Sequence, residues 1–361
     1  MTALMAAARV PGLALAVIDD GRVVYRHAWG SAGGAPLRVD SVMYGASLSK
    51  AMFAVLVLQL ADEGRIDLDA PLPRQLARPL PDYPEFADLA ADPRWRDITP
   101  RMLLSHSAGL LNWRWINPDK KLDIKFAPGS RYVYSGEGMQ ILQLVVEERS
   151  GRPLADLMQE KVFDRFGMAN TSMRWRADFA GREANHFGAA GEAITHNRRT
   201  RARAAGSADT TLNDAAAFLA AVLRGEAPAA MLRPQLPIVS PRQFPSHWPG
   251  QTEANRAIGL SAALGWIVYD APQGSAFFKE GSDDGTNNLL FGLTRGKRGI
   301  VMLSNSSNAK MLFYPALNFL LGNTCLPWYW MGYAPYDRPV AADGAPVVTP
   351  ACASAEQRRL N

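Results

Sequence analysis

The apolar segment Ala51–Leu60 constrains the fold of this chain most strongly, because nine of its ten residues are apolar. A helix that is apolar on nearly every side must be buried all round. Gly64 follows as a plausible left-handed stop. Upstream, a nearly continuous apolar run over 12–18 and a second segment over 22–29 flank Asp20 and Gly21, a pair typical of a tight hairpin turn. A hairpin beside a buried helix predicts a layered fold.

Ser47 and Lys50 stand at the start of this helix and are its chemical feature. Positions three apart share one helix face, so the lysine ammonium can reach the serine hydroxyl. Ser47 also falls in the first turn, where free N–H groups and the positive helix end favour developing negative charge. The same spacing arises by chance in many chains, so alone it supports only a hypothesis of a nucleophile beside its base.

Composition narrows the function classes. At 361 residues the chain is longer than a domain with a single hydrophobic core usually is, which predicts two substructures. The net charge of +5 comes without interleaved aromatic and basic residues, so nucleic acid is not an expected partner. No stretch is long enough to span a membrane. No signal peptide is recognised either, so a cytoplasmic protein is expected if Met1 is the native start. If Met1 is not the native start, a periplasmic or secreted protein is expected. The two cysteines, Cys325 and Cys352, form no metal motif but could pair with each other.

Metal chemistry is not expected, and no cofactor is predicted. None of the five histidines falls in a zinc-like spacing: His27, His106, His186, His196 and His247. His106 follows a short helix that Thr99 caps and Pro100 opens, and it is more typical of a residue that fixes a loop than of a catalytic one. The basic run between Arg198 and Arg203 favours a solvated loop over an anion site.

The final third changes character. Four short strands joined by Gly-rich turns are predicted near 264–269, 275–279, 287–291 and 300–303, followed by a helix over 309–321. Strands at both ends of the chain predict an α/β (α+β) fold, with an antiparallel sheet from both termini flanked by helices and a mainly helical insertion. The predicted domains are 1–75 with 250–335, 76–249, and an irregular tail over 336–361.

Several motifs together resemble the serine β-lactamase and penicillin-recognising hydrolase superfamily, most closely its class C-like branch of D-peptidases and family VIII esterases. Ser47 to Lys50 matches the Ser-x-x-Lys motif, Tyr134 to Gly136 takes the place of Tyr-x-Asn, and Lys279 to Gly281 that of Lys-Thr-Gly. Flanking segments near 11–14, 64–69 and 103–110 also resemble this branch. The resemblance runs from about residue 5 to residue 322 and implies a β-lactamase/transpeptidase-like fold.

The resemblance implies an acyl-enzyme on Ser47, with Lys50 or Tyr134 as the base. Either assignment is open, because burial can lower a lysine pKa and nearby cations can stabilise a phenolate. The resemblance also implies an oxyanion hole from the backbone N–H groups of Ser47 and Ser282. The expected activity is hydrolysis of an amide or ester, such as a D-amino acid peptide or a small ester. The expected partner is a small-molecule or peptide substrate.

Departures from the family motifs bear on the substrate. Gly136 replaces an Asn that contacts the acyl amide of penicillins, which weakens the case for a class C-like β-lactamase, the first alternative. Lys279 keeps a cation that favours a carboxylate-bearing substrate, and Glu280 could pair with a basic residue or offset that cation. With Gly281, these positions are the expected substrate-binding residues, and Trp113 is a candidate wall. A catalytically silent scaffold, the second alternative, would have no need of Ser47, Lys50 and Tyr134.

Overall fold

The structure is a computed structural model that describes residues 1–244 and 250–334. Its centre is an eight-stranded antiparallel sheet with the order β2-β1-β12-β11-β10-β9-β8-β7. The strands of this sheet are β1 (Gly12–Asp19), β2 (Arg22–Gly30), β7 (Leu236–Pro237), β8 (Ser261–Ala262), β9 (Ile267–Ala271), β10 (Gly274–Asp283), β11 (Thr286–Leu293) and β12 (Arg298–Ser304). Two small pairs lie outside it: β3 (Met43–Tyr44) with β6 (Asp209–Thr210), and β4 (His186–Phe187) with β5 (Ala193–Ile194).

The sheet joins the two ends of the chain. β1 and β2 form the predicted hairpin, and its turn places Asp20 and Gly21 at φ values of 47° and 69°. On its other side β1 pairs with β12, where Leu13 faces Ser304 and Ile18 faces Gly299. The predicted fold, an antiparallel sheet from both termini flanked by helices, is confirmed.

The helices are α1 (Thr2–Ala7), α2 (Leu48–Asp62), α3 (Pro100–Leu104), α4 (Gly136–Ser150), α5 (Leu154–Met158), α6 (Leu212–Arg224), α7 (Glu253–Ala257) and α8 (Phe313–Leu321). α2 is buried along almost its whole length, as its composition predicts. The chain leaves it through Gly64 at a φ of 70°. Short 3-10 helices fill most of the Pro-rich stretch between residues 72 and 97.

The two faces of the sheet support two apolar cores, because side chains alternate along each strand. On β1, Ala14 and Ala16 face the core that contains α2 and α6, and Leu13 and Leu15 face the core that contains α8 and the segment near Trp330. α2 is therefore held between the sheet and the helices of the insertion. This layering fixes the first turn of α2 at the edge of the sheet.

The predicted cap of α3 is confirmed, and α6 has a cap of the same kind. Thr99 Oγ1 accepts from the Met102 amide at 3.3 Å at the start of α3, and Thr211 Oγ1 accepts from the Asp214 amide at 3.2 Å at the start of α6. α6 begins at Leu212, directly after its N-cap Thr211.

Parts of the sequence predictions remain untested. The limits of the three domains stay predictions, and the irregular tail over 336–361, His247 and Cys352 lie outside the described residues. A pairing of Cys325 with Cys352 therefore also falls outside them. Within the described ranges, no helix has the length and apolar character needed to cross a bilayer.

Candidate active site

Ser47 lies at the N-terminus of α2, directly after a strained turn. Ala46 has a φ of 47°, an uncommon left-handed conformation for a residue with a side chain. The helical conformation begins at Ser47, with a φ of −68° and a ψ of −2°. Its amide donates to no other described residue and points out of the helix end, while its side chain is half-buried. The turn thus presents both a hydroxyl and a free N–H at one point.

Lys50 is buried beneath Ser47, one helical turn further on. Its Nζ lies 2.9 Å from Ser47 Oγ and donates to the backbone oxygen of Ala205 at 2.5 Å. Burial lowers the pKa of Lys50 well below its usual value, and the nearby charge of Lys279 lowers it further. A lysine with this environment can accept a proton from the serine at neutral pH.

Tyr134 reaches the same point from the start of α4. Lys50 Nζ and Lys279 Nζ lie 5.0 and 5.2 Å from the centroid of its ring, and Lys279 Nζ donates to its hydroxyl at 3.3 Å. Burial raises the pKa of Tyr134, and hydrogen bonding to Ser47 lowers it only in part. The phenol therefore keeps its proton and is suited to donate it.

His106 positions the segment that carries Tyr134. It is buried with a φ of 55°, and its ring lies 4.5 Å from the ring of Tyr134. Its Nδ1 accepts from the Ser135 amide at 3.2 Å, and its backbone oxygen accepts from the Val133 amide at 2.6 Å. Burial and the two lysines hold the pKa of His106 well below its ordinary value, so the ring is neutral. These contacts agree with the expectation of a loop-fixing residue.

Lys279 is buried in the middle of β10, with 5% of its surface exposed. Burial lowers its pKa to about 8, and Glu280 partly opposes this shift. Glu280 also pairs with Lys310 at 3.2 Å, so both sequence expectations for this carboxylate are met. Lys279 lies against Tyr134, and it is absent from the lining of the large cleft beside Ser47. Its predicted contact with a substrate carboxylate stays a prediction, and its burial argues against that contact.

Gly281 and Ser282 bring the edge of β10 beside Ser47. A Cβ on Gly281 would lie 2.4 Å from the Gly45 backbone oxygen, so only glycine permits this approach. Asp283 and Thr286 pair across a two-residue turn. Hydrogen-bonded and non-hydrogen-bonded pairs alternate along an antiparallel ladder, so the N–H of the next residue, Ser282, points away from β11. β9 covers this edge only as far as Phe278. Ser282 lines the same cleft as Ser47.

A cleft of about 500 Å³ opens over Ser47. Trp113 and Trp115, whose rings stack 4.8 Å apart, line this cleft, and so does the loop that contains Arg199, Arg201 and Arg203. The tryptophan segment is fixed by Arg114, which pairs with Glu137 of α4 at 2.9 Å. Trp113 thus lies in the cleft wall, as predicted.

Gly136 lies beneath this tryptophan wall. Its amide donates to the Asn112 side-chain oxygen at 2.9 Å, and a Cβ at this position would meet the Trp113 ring at 2.7 Å. The indole therefore fills the space into which a side chain at position 136 would project. Gly136 does not line the cleft itself, although Asn112 and Trp113 do.

The structure thus gathers Ser47, Lys50, Tyr134 and Lys279 into one cluster and places Ser282 at its edge. Sequence reasoning did not identify Ala205, whose carbonyl holds Lys50 from 155 positions away. Asn112 was missed as well, because an isolated Asn in a loop gives no local signal. Among the described residues, no group of three His, Cys, Asp or Glu side chains is placed to hold a metal ion.

Comparison with known proteins agrees with this geometry. The chain is 32% identical to the esterase EstB of Burkholderia gladioli over 189 residues, which are 44% of this chain and 46% of that protein. It is 28% identical to a D-aminopeptidase of Gluconobacter oxydans over 169 residues, 44% of this chain and 31% of that protein. The matched region thus spans less than half the length of these curated relatives.

A solved structure shares the fold. The octameric penicillin-binding protein homologue from Pyrococcus abyssi superimposes with a TM-score of 0.72 at 20% identity, over 91% of this chain and 77% of that one. A family model described as Beta-lactamase matches residues 1–317. The chain therefore belongs to the β-lactamase family.

Proposed function

We propose that this chain is a serine hydrolase that cleaves an ester or amide through an acyl-enzyme on Ser47. The observation that carries the proposal is the contact of 2.9 Å between Ser47 Oγ and a buried Lys50 whose pKa is lowered. A serine hydroxyl is a weak nucleophile at neutral pH and needs an adjacent base. A scaffold protein would gain nothing from a buried lysine beside a half-exposed serine.

In the acylation step Lys50 acts as the base. Ser47 Oγ attacks the substrate carbonyl carbon and gives its proton to the neutral Lys50 amine. The raised pKa of Tyr134 argues against its phenolate as the base, so we assign Tyr134 to proton donation. Ala205 orients the Lys50 amine from the opposite side by accepting one of its hydrogens.

The leaving group departs with a proton from Tyr134. The C–O or C–N bond breaks, and Lys279, which donates to the phenol oxygen at 3.3 Å, replaces the proton that Tyr134 has lost. In deacylation a water attacks the acyl carbon and returns a proton through Tyr134 to Lys279. The Ser47 Oγ–carbon bond breaks, and Lys50 gives its proton back to Ser47.

The negative charge of the tetrahedral intermediate needs donors that are already in place. We assign this role to the amides of Ser47 and Ser282, which line one cleft and have no partner in the helix or the β10–β11 ladder. Loss of one such donor costs on the order of 3 kcal/mol of transition-state stabilisation. The close packing of Gly281 against Gly45 supports this role, because it sets the separation of the two amides.

Esters and amides are better candidate substrates than β-lactams. In the sequence analysis an Asn at position 136 was the expected contact for a penicillin amide, and the Trp113 ring fills that space here. Two relatives are named as an esterase and a D-aminopeptidase, which supports small esters and D-amino acid amides as the first compounds to test.

The proposal is tested with a fluorophosphonate probe and peptide mapping by mass spectrometry. We expect a single adduct on Ser47, and we expect Ser47→Ala to abolish both labelling and hydrolysis of p-nitrophenyl esters. Ser130→Ala is the matched control, since Ser130 is exposed and lies outside the cleft lining. A panel of p-nitrophenyl esters, D-amino acid amides and nitrocefin then ranks the substrate classes. Ester hydrolysis that survives in Ser47→Ala would refute the mechanism.

A further inference from the structure

The loop over residues 197–207 lines the cleft that Trp113 and Trp115 also border. Eight of its residues line the cleft together with Ser47, among them Arg199, Arg201 and Arg203. The sequence favoured a solvated loop for this basic run. This run is largely solvent-exposed, in agreement with that prediction, and three of its arginines also line the opening over the candidate nucleophile.

This loop is held firmly to the site. Gln143 of α4 donates to the Ala202 carbonyl at 3.2 Å and accepts from the Ala204 amide at 3.0 Å. Ala205 accepts from Lys50, and the Ala208 amide donates to Ser49 Oγ at 3.0 Å. The backbone that carries Arg201 and Arg203 is therefore fixed from both sides, by α4 and by the first turn of α2.

The four arginines of this segment are not equivalent. Arg198 pairs with Glu183, and Arg199 pairs with the buried Asp209 while its guanidinium lies 3.5 Å from the centroid of the Tyr44 ring. Within the described part of the chain, Arg201 and Arg203 have no carboxylate partner, and both are exposed to the cleft. Two guanidinium groups thus face the substrate space with unused donors.

One carboxylate also faces this cleft. Asp283 lines it, but its charge acts on Tyr44 and Lys50, raising the pKa of both groups. Its charge is therefore directed to the floor of the site. Arg201 and Arg203 also line a neighbouring cavity with Glu85, Glu137 and Glu147, but no ion pair among the described residues joins these carboxylates to either guanidinium, and Glu137 pairs with Arg114. A planar guanidinium matches the two oxygens of a carboxylate, often through two parallel hydrogen bonds.

We propose that Arg201 and Arg203 form a carboxylate subsite, and that the substrate is an ester or amide with a free carboxylate on one side of the scissile bond. This inference rests on the proposed function, whose substrate class it narrows. It also replaces Lys279 as the cation expected to recognise such a group, since Lys279 is buried against Tyr134 outside the cleft. Trp113 and Trp115 add an apolar wall that suits a flat substrate.

Two pairs of rigid esters test the proposal. The first pair is 4-nitrophenyl 4-carboxybenzoate and its methyl ester, which differ in charge on the acyl side. The second is 4-acetoxybenzoate and methyl 4-acetoxybenzoate, which differ on the leaving-group side. We expect the native chain to prefer the carboxylate of at least one pair by about tenfold or more in kcat/KM, since a charge-assisted hydrogen bond has about that effect.

The variants Arg201→Gln and Arg203→Gln, alone and combined, should lose this preference, because kcat/KM falls by a larger factor for the carboxylate ester than for the methyl ester. Arg198→Gln is the matched control, because it removes the same charge from the same loop at a side chain that does not line the cleft. Equal losses on charged and neutral esters in the double variant, or no preference in the native chain, would overturn the subsite.

A binding measurement separates failure of the subsite from failure of the proposed function. The Ser47→Ala chain should bind 4-nitrophenyl 4-carboxybenzoate about tenfold or more tightly than its methyl ester, as measured by quenching of tryptophan fluorescence. The double arginine variant in the same background should bind both equally. A native chain that cleaves no ester while this binding difference persists contradicts the hydrolase alone. Ester hydrolysis by Ser47 without a binding difference contradicts the subsite alone.

Discussion

Replacing Lys279 with methionine should make Lys50 a poorer base at neutral pH. Both ammonium groups lie near the Tyr134 ring, at 5.0 and 5.2 Å from its centroid, so the two nitrogens are at most about 10 Å apart. With an effective dielectric constant of about 20, the repulsion between two such charges is at least about 1.7 kcal/mol. Lys279 thus lowers the pKa of Lys50, and removing it raises that pKa.

The measurement is the pH dependence of phosphonylation of Ser47 by a fluorophosphonate. Fluoride leaves without a proton, so this reaction reports the base and not the proton donor. We expect the acid limb of the rate profile to move to higher pH by about one unit in Lys279→Met. Since the pKa of Lys279 is about 8, the difference from the native chain should shrink above that pH, where Lys279 loses its own charge.

Lys279→Arg is the control, because it keeps the positive charge and should leave the acid limb close to its native position. Methionine is unbranched and nearly as long as lysine, so the packing against Tyr134 changes little. An acid limb that stays in place in Lys279→Met would show that Lys279 does not set the protonation of Lys50. A shift to lower pH would contradict the electrostatic reasoning outright.

Three further substitutions test the packing around the site. Gly281→Ala places a Cβ 2.4 Å from the Gly45 oxygen and should lower kcat/KM for a neutral ester by about 100-fold, and full activity would contradict the close-approach argument. Gly136→Asn must displace the Trp113 ring and should lower the unfolding free energy by about 1–3 kcal/mol in a urea titration. An unchanged urea midpoint would contradict the contact between position 136 and Trp113. Thr211→Ala removes the N-cap of α6 and should cost about 1 kcal/mol with kcat/KM unchanged, and a loss of activity would show that this cap also supports the site.

The sheet and the first half of the site could be predicted because their signals are local. Asp20 followed by Gly21 marks the β1–β2 turn, and Ser47 and Lys50 are three residues apart on one helix, so neither needs knowledge of distant contacts. The predicted strand boundaries were less accurate, because β10 extends from Gly274 to Asp283, well past the predicted 275–279. The polar residues at its end carry no strand signal, and they are paired only because β11 returns beside them.

The remainder of the site depends on contacts between segments that are far apart in the chain. Lys279 looks like an exposed cation at a strand end, and only the packing of Tyr134, 145 positions away, buries it. In the same way Arg201 and Arg203 look like part of a solvated loop. Their position over Ser47 follows from the bonds of Gln143 and Lys50 to that loop's backbone. The spacing of residues along the sequence gives no information on the burial of Lys279 or on the position of Arg201 and Arg203 over Ser47.

Burial of Lys279 has a cost in stability whose pH dependence can be measured. Its pKa falls from 10.5 to about 8 on folding, so between these values the unfolded chain binds more protons than the native one. This contribution to the unfolding free energy therefore rises with pH from 8 to 10.5, and below pH 8 the full penalty is present. Lys279→Met should have a larger unfolding free energy than the native chain at pH 7, as measured by urea titration. This difference in unfolding free energy should be smaller at pH 10.

If the difference in unfolding free energy between Lys279→Met and the native chain stays constant from pH 7 to pH 10, packing, and not the protonation of Lys279, sets that difference. A smaller difference at pH 10 would mean that docking of β10 onto α2 carries an electrostatic penalty. The positive charge of Lys279, whose burial destabilises the folded chain, also lowers the pKa of Lys50 beside Ser47. The stability cost and the base strength of Lys50 would then have one origin, and a substitution that relieves the first should weaken the second.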